Sequence, residues 1–177
     1  MMRKILVTGG TVFVSRYVAN YFAQKGDDVY VLNRNSKPQL PNVTLIEGDR
    51  NNLGDKLKGY EFDAVLDITA YTREHVENLV KALGKFGDYI MVSSSAVYPE
   101  TNPQPFTEEQ PCGPNSTWGI YGTNKLAARN TCGRQFPMPT SCALRICTAL
   151  CRMCTGNPLF LNVRKLGGKS VSPVMAA

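Results

Sequence analysis

The stretch Lys4-Ile5-Leu6-Val7-Thr8-Gly9-Gly10-Thr11-Val12-Phe13-Val14-Ser15 decides the fold. It opens with a short apolar run typical of a buried strand, which ends at two glycines. From Val12 to about Lys25 apolar residues recur at helical spacing, and Gly26 stops that pattern. A glycine turn between a strand and a helix lets the backbone approach a phosphate, and the helix start supplies free N–H groups. The stretch therefore predicts the opening unit of a dinucleotide-binding α/β domain.

The same alternation continues to about residue 128. The pattern predicts further strands and helices, with strands over 29–33, 44–47, 64–68 and 89–93 and helices over 73–86 and 118–131. Strands that alternate with helices form a parallel sheet covered on both faces, with ligands at the carboxyl ends of the strands. We expect an α/β, Rossmann-type, doubly wound parallel sheet of order 3-2-1-4-5 that is incomplete at its C-terminal side. Residues 1–128 form the predicted nucleotide-binding domain.

Residues 129–177 differ in composition from the part before them. Residues 1–128 hold 13 of the Lys and Arg residues and all 14 Asp and Glu, whereas residues 129–177 hold 7 basic residues, no acidic ones and five of the six cysteines. The tail thus carries a charge of +7 and residues 1–128 a charge of −1, so the net charge of +6 comes from the tail rather than from a basic patch on the domain. Nucleic acid is accordingly not an expected partner.

The tail reads as an out-of-frame translation. If each original codon combined the last base of one present codon with the first two of the next, residues 140–161 could encode Leu-Arg-Pro-Pro followed by Tyr-Gly-Pro. We interpret residues 129–177 as a frameshifted segment with little native structure, so that the activity of this chain is impaired. The spacing of Cys147, Cys151 and Cys154 also fits a 4Fe–4S cluster, and this is the weaker alternative. No metal site is predicted.

No run of about 18 apolar residues occurs, so we expect no membrane span. The apolar stretch near the amino terminus is too short for a secretory signal, and we expect a cytoplasmic protein.

Two motifs carry the predicted chemistry. Ser93-Ser94-Ser95-Ala96-Val97-Tyr98 ends the fifth strand, and Tyr121-Gly122-Thr123-Asn124-Lys125 lies on a helix. Residues four apart share one face of a helix, so an ammonium lies near a phenol and favours its ionised form. A serine hydroxyl aimed at the same substrate oxygen would stabilise developing charge. This combination suits hydride transfer at a C–OH group with proton transfer at the oxygen.

Together these motifs resemble the extended or atypical short-chain dehydrogenase/reductases, in the NAD-dependent epimerase/dehydratase family. The resemblance covers residues 3 to about 128. It departs from the family's glycine fingerprint at Val12 and Ser15, which replace glycines. It implies that the catalytic residues are Ser94, with Ser93 and Ser95 as runners-up, Tyr121 and Lys125. It implies that the cofactor-binding residues are Gly9, Gly10, Thr11, Val12, Phe13, Val14, Asn33, Arg34, Asp49, Arg50, Thr69, Ala70, Tyr71, Tyr121 and Lys125.

The resemblance implies NAD or NADP as cofactor, and Arg34 at the end of the second strand favours the 2′-phosphate of NADP. The implied function is that of an epimerase, dehydratase or reductase acting on a nucleotide sugar or a similar small molecule, and a homodimer stays open. The main alternative is a non-catalytic relative that senses a dinucleotide or binds RNA.

Overall fold

The computed structural model describes residues 2–107 and 109–135. The predictions made for residues 136–177, including the cysteine spacing and the reading-frame interpretation, lie outside the described residues. Within 129–135 the chain is helical. In the described part, no helix is long and apolar enough to cross a bilayer.

Five parallel strands form one sheet in the order β3-β2-β1-β4-β5, which confirms the predicted topology. The strands are β1 (Lys4–Thr8), β2 (Asp28–Asn33), β3 (Thr44–Glu47), β4 (Glu61–Asp67) and β5 (Lys85–Met91). β1 lies at the centre with β2 on one side and β4 on the other, and its residues Ile5, Leu6 and Val7 are buried. A strand buried on both faces needs such an unbroken apolar run.

In the described part of the chain, three helices and one short turn cover the sheet. They are α1 (Phe13–Gln24), α2 (Arg73–Ala82), a single 3-10 turn (Ser95–Val97) and α3 (Gly119–Gln135). α1 packs Val14, Val18 and Phe22 on one face of the sheet, in a cluster with Val7 and Val31. On the other face, the second cluster includes Val76 and Leu79 of α2 and Ala128 of α3. These layers place the carboxyl ends of β1, β2 and β4 at one open edge of the domain.

The boundary between α2 and β5 corrects the sequence prediction. The predicted helix over 73–86 ends at Ala82, and β5 begins at Lys85 rather than at residue 89. Gly84 and Gly87 suggested a helix stop, but they allow close strand packing instead. A Cβ on Gly87 would lie 2.6 Å from the carbonyl oxygen of Asp63 on β4. Pairing of β5 along almost all of β4 therefore outweighs the helical periodicity of residues 83–86.

Candidate functional site

The turn after β1 has the backbone shape that a phosphate-binding loop requires. Gly9 and Gly10 have φ angles of 95° and 92°, a region that side chains disfavour. A Cβ on Gly10 would lie 2.5 Å from a methyl group of Val31, and one on Gly9 would lie 2.7 Å from the hydroxyl of Ser15. The Asn33 side-chain amide donates to the carbonyl oxygen of Gly9 at 2.6 Å. Asn33, predicted to contact the cofactor, thus holds the turn in place.

The start of α1 leaves its backbone donors available. Val12 precedes the helix and gives it no side-chain cap. The first N–H groups of α1 therefore keep their partial positive charge for a ligand. Phe13 has a φ of 50°, and Val12 and Phe13 are each 50% exposed. The turn consequently presents free backbone donors between two exposed apolar side chains.

A crevice of about 740 Å³ opens beside this turn and runs to α3. Its volume lies within the usual range for small-molecule sites. Most of the predicted site residues line it, namely Gly9, Thr11, Val12, Phe13, Val14, Asn33, Arg34, Asp49, Arg50, Thr69, Tyr71, Tyr121 and Lys125. Gly10 and Ala70 are fully or almost fully buried and lie outside the lining, as does Ser94.

Lys125 reaches the crevice from inside the protein. Its side chain is 2% exposed, and Nζ donates to the carbonyl oxygens of Ala70 at 2.8 Å and Val92 at 2.7 Å. The ammonium also lies 5.7 Å from the centre of the Tyr71 ring. Burial lowers the pKa of Lys125 from 10.5 to about 8, while Asp67 raises the pKa and Arg50 lowers it. Lys125 is therefore mostly an ammonium at neutral pH, but one that releases its proton readily.

A glycine brings the helix that carries Tyr121 and Lys125 close to the serine motif. A Cβ on Gly122 would lie 2.8 Å from the carbonyl oxygen of Ala96 in the 3-10 turn. α3 therefore packs directly on that turn. Tyr121 is 39% exposed and lines the crevice, one helical turn from Lys125. The two predicted residues share one helical face, as their spacing requires.

The serine motif divides between two positions. Ser94 caps the 3-10 turn, with its hydroxyl accepting from the backbone N–H of Ala96 at 3.2 Å. Ser93 lines the crevice and is 3% exposed, and its hydroxyl has no hydrogen-bond partner among the described residues. A buried polar atom without a partner is costly. Ser93 therefore joins Ser94 as a candidate for the catalytic hydroxyl, whose identity stays a prediction.

A connected set of polar side chains lies at the crevice wall by the carboxyl ends of β1 and β4, where Thr8, Arg50 and Thr69 line the crevice and Asp67 and Tyr89 lie behind them. We call Thr8, Arg50, Asp67, Thr69 and Tyr89 the buried network. Asp67 is completely buried and forms a two-point ion pair with Arg50, at 2.9 and 3.0 Å. Its carboxylate also accepts from the hydroxyls of Thr8 at 2.9 Å and Tyr89 at 2.6 Å. All the oxygens of a buried carboxylate are thereby satisfied, as its burial requires.

The pKa values of this pair reflect its contacts. Burial alone would raise the pKa of Asp67, but the charge and hydrogen bonds of Arg50, with those of Tyr89 and Thr8, hold it below its usual value. Burial likewise would lower the pKa of Arg50, and Asp67 outweighs that effect. Burial raises the pKa of the Tyr89 phenol well above 10. Both members of the pair thus stay charged at neutral pH.

Arg34 and Asp49, both predicted as cofactor contacts, are exposed at the crevice rim. The Asp49 carboxylate accepts from the backbone N–H of Asn51 at 2.9 Å, and this hydrogen bond lowers its pKa. Arg50, also predicted as a cofactor contact, lines the crevice and donates from its guanidinium to Asp67, Thr69 and the carbonyl of His75.

Sequence reasoning gave no site role to several residues of the wall. His75 is half-buried in the crevice wall, where Nδ1 accepts from the backbone N–H of Tyr71 at 3.2 Å. Burial, and then Arg50, lower the pKa of His75. The sequence could have predicted a charged partner for Asp67, because an acidic residue inside an apolar strand is almost never buried without one. In the described part of the chain, no three His, Cys, Asp or Glu residues cluster to hold a metal ion.

Comparison with known proteins finds a matching family and related sequences. Residues 5–82 match the NAD dependent epimerase/dehydratase family. Chloroplast stem-loop binding protein of 41 kDa b from Arabidopsis thaliana is 30% identical over 132 residues, which are 64% of this chain and 35% of that protein. UDP-glucose 4-epimerase from Erwinia amylovora is 30% identical over 154 residues, with 69% and 45% covered. The chain thus spans less than half the length of these relatives.

Solved structures show the same fold. A UDP-galactose 4-epimerase aligns with a TM-score of 0.62 at 20% identity, covering 74% of this chain and 50% of that one. The Bordetella bronchiseptica enzyme WbmG, in complex with NAD, aligns with a TM-score of 0.63 at 14% identity, covering 82% and 52%. The likeness at these identities concerns the fold.

Proposed function

Because the chain belongs to the NAD-dependent epimerase/dehydratase family, we propose that its crevice binds NAD or NADP and serves hydride transfer at a C–OH group of a nucleotide sugar or similar small molecule. One observation carries this proposal. The glycine turn, the serine motif, Tyr121 and Lys125 come from distant parts of the sequence, and the fold places all four around one crevice. Chance would seldom place a phosphate-binding turn and a phenol–ammonium pair around the same cavity.

The residues present fit a dinucleotide. Positive φ angles at Gly9 and Gly10 let the backbone approach a pyrophosphate, and the uncapped start of α1 offers it N–H donors. A nicotinamide cofactor, when bound, accepts or donates the hydride. The buried Ser93 hydroxyl has no hydrogen-bond partner among the described residues and could bond to a ligand in the same crevice. Val12 places a β-branched side chain beside the proposed pyrophosphate site, where the family fingerprint has a glycine.

The protein's own part in the proposed reaction is proton transfer and orientation. Tyr121 would move the proton at the substrate oxygen through its phenolic oxygen. Lys125, whose ammonium lies in the crevice wall one helical turn away, would supply positive charge beside the reacting groups. A serine hydroxyl would donate to the same oxygen as negative charge develops. Homodimer formation and a cytoplasmic location stay predictions from the sequence.

Replacing Tyr121 by Phe tests the catalytic part. The purified chain, whose turnover we expect to be low, would be mixed at high concentration with NAD and with nucleotide sugars, and reduced cofactor and sugar isomers would be followed. The Tyr121→Phe variant should lose roughly 100-fold or more in rate, since it lacks the proton-transferring group, and should keep its dinucleotide affinity. Tyr17→Phe, a matched change on the exposed side of α1 outside the crevice lining, should leave the rate within a few-fold. An unchanged rate in Tyr121→Phe would contradict the proposal.

Within this function we propose a preference for NADP. Arg34 is exposed on the crevice rim, with Ser36 and Lys37 beside it on the same wall. A guanidinium there suits a 2′-phosphate. Arg34→Ala should weaken NADP binding by roughly tenfold, about 1.4 kcal/mol, and leave NAD binding nearly unchanged. Equal losses for both dinucleotides would count against the preference.

RNA binding is the second candidate function. The Arabidopsis relative is described as a stem-loop binding protein. The crevice rim of this chain combines exposed Phe13 and Tyr71 with basic Arg34 and Lys37, and single-stranded nucleic acids bind by stacking on aromatics beside positive charge. Tyr121→Phe separates the two functions, because it should abolish turnover and leave RNA affinity intact.

A further inference from the structure

The buried network lies next to Lys125 in the crevice wall. Arg50 is the centre of this arrangement. One guanidinium nitrogen donates to Asp67 and to the Thr69 hydroxyl, each at 2.9 Å, and the other donates to Asp67 and to the His75 carbonyl at 2.8 Å. Arg50 thereby ties the end of β4 to the first turn of α2.

The loop between those two points carries the carbonyl that binds Lys125. Ala70 lies between Thr69, held by Arg50, and α2, held through His75. Thr69 is fixed from the other side as well, since its N–H and its hydroxyl lie 3.1 and 3.0 Å from the Thr8 hydroxyl. Thr8 in turn donates to Asp67. The hydrogen bonds form a ring, from Arg50 through Thr69 and Thr8 to Asp67, and the ion pair closes it.

The second carbonyl that accepts from Lys125 is linked to the same carboxylate residue. The backbone N–H of Val92 donates to the carbonyl of Asp67 at 3.1 Å, and the Val92 carbonyl accepts from Lys125. Both anchors of the ammonium therefore adjoin the Arg50–Asp67 pair.

We infer that Arg50 and Asp67 are positioning residues for Lys125: they fix the two carbonyls that hold its ammonium, and their own charges act on that ammonium. This inference rests on the proposed function for its meaning, since it assigns Arg50 to the support of the reaction centre rather than to cofactor contact. The two charges act on Lys125 in opposite directions, Asp67 favouring the ammonium and Arg50 disfavouring it.

Other groups around the ammonium need to be counted in any pH experiment. Tyr71 from the loop before α2 has its ring against Lys125, and Tyr121 lies one turn away on α3. His75 packs behind Tyr71, with ring centres 6.3 Å apart. The Tyr71→Phe and His75→Asn variants serve as controls for these neighbours.

The test is a direct titration of Lys125 in the full chain. Lysine labelled with ¹³C at Cε is followed by NMR from neutral to alkaline pH, and the Lys125→Met variant assigns the signal. The unaltered chain should titrate at about 8. Arg50→Gln should move the midpoint upward and Asp67→Asn should move it downward. The double variant Arg50→Gln/Asp67→Asn should return it close to the unaltered value.

Arg50→Lys keeps the positive charge and should keep the midpoint, even if the single neutral variants fold poorly. If the titration midpoint of Lys125 moved upward in all variants, the double variant included, the network would act only by keeping Lys125 buried. That result would overturn the inference. No movement in any folded variant would do the same. Because the titration needs neither dinucleotide nor substrate, it can succeed when the proposed activity fails, and the converse also holds.

Discussion

The glycine turn and the buried network differ in how completely their polar groups are used. The turn, residues 9–14, leaves the first donors of α1 uncapped and two apolar side chains half exposed. In the buried network every carboxylate oxygen of Asp67 has partners, and its ion pair with Arg50 is almost closed to solvent. The two regions therefore have different roles. The uncapped donors of the turn are available to a ligand, whereas the paired groups around Asp67 stabilise the fold. Substitutions in the two regions should therefore have different effects.

The largest expected effect is on stability in the buried network. Arg50→Met leaves the Asp67 carboxylate buried without its cation, which should lower the free energy of unfolding by about 3 to 5 kcal/mol. Urea unfolding followed by circular dichroism measures it. The double variant Arg50→Met/Asp67→Leu removes both charges and should recover most of the loss. If the single and double variants were equally unstable, the pair would not be the cause.

In the turn, stability depends on backbone shape at one glycine. Gly10→Ala places a Cβ against Val31 at a positive φ, which should cost about 2 to 4 kcal/mol. Gly26 also has a positive φ, 83°, but open space around it. Gly26→Ala should therefore cost only about 1 to 2 kcal/mol. The difference in thermal stability between the two variants measures how closely the turn approaches β2. Equal stability would show that this contact does not contribute.

A smaller effect on stability depends on pH and arises from Lys125. The pKa of Lys125 is lower in the folded chain than in the unfolded chain, so the unfolded chain binds more protons between about 8 and 10.5. Stability should consequently rise with pH across that window, and the contribution is lost as pH falls from 10.5 to about 8. Between pH 8 and 10 we expect a gain of roughly 1 to 2 kcal/mol. Lys125→Met should flatten this rise in urea unfolding curves, and an identical slope in both proteins would refute the assignment.

The sequence predicted the open parts of the molecule better than the buried ones. The glycine turn, the strand order and the shared face of Tyr121 and Lys125 follow from local spacing, which a single sequence displays. The ion pair of Arg50 was not predicted because its partner, Asp67, lies on a strand that is not its neighbour in the chain or next to it in the sheet. The α2–β5 boundary was misplaced because glycines that end helices also permit close strand pairing. His75 could not be placed, since its Nδ1 partner is a backbone N–H of a loop.

The central claim is that the crevice beside the glycine turn receives a dinucleotide, and calorimetric titration of the full chain with NAD and with NADP tests it most directly. The account predicts saturable binding of one dinucleotide per chain, tighter for NADP. Binding should be lost in Gly9→Val, whose Cβ would meet Ser15 and Thr69, and retained in Gly26→Ala. Failure of the folded, unaltered chain to bind either dinucleotide, or undiminished binding by a folded Gly9→Val variant, would contradict the account.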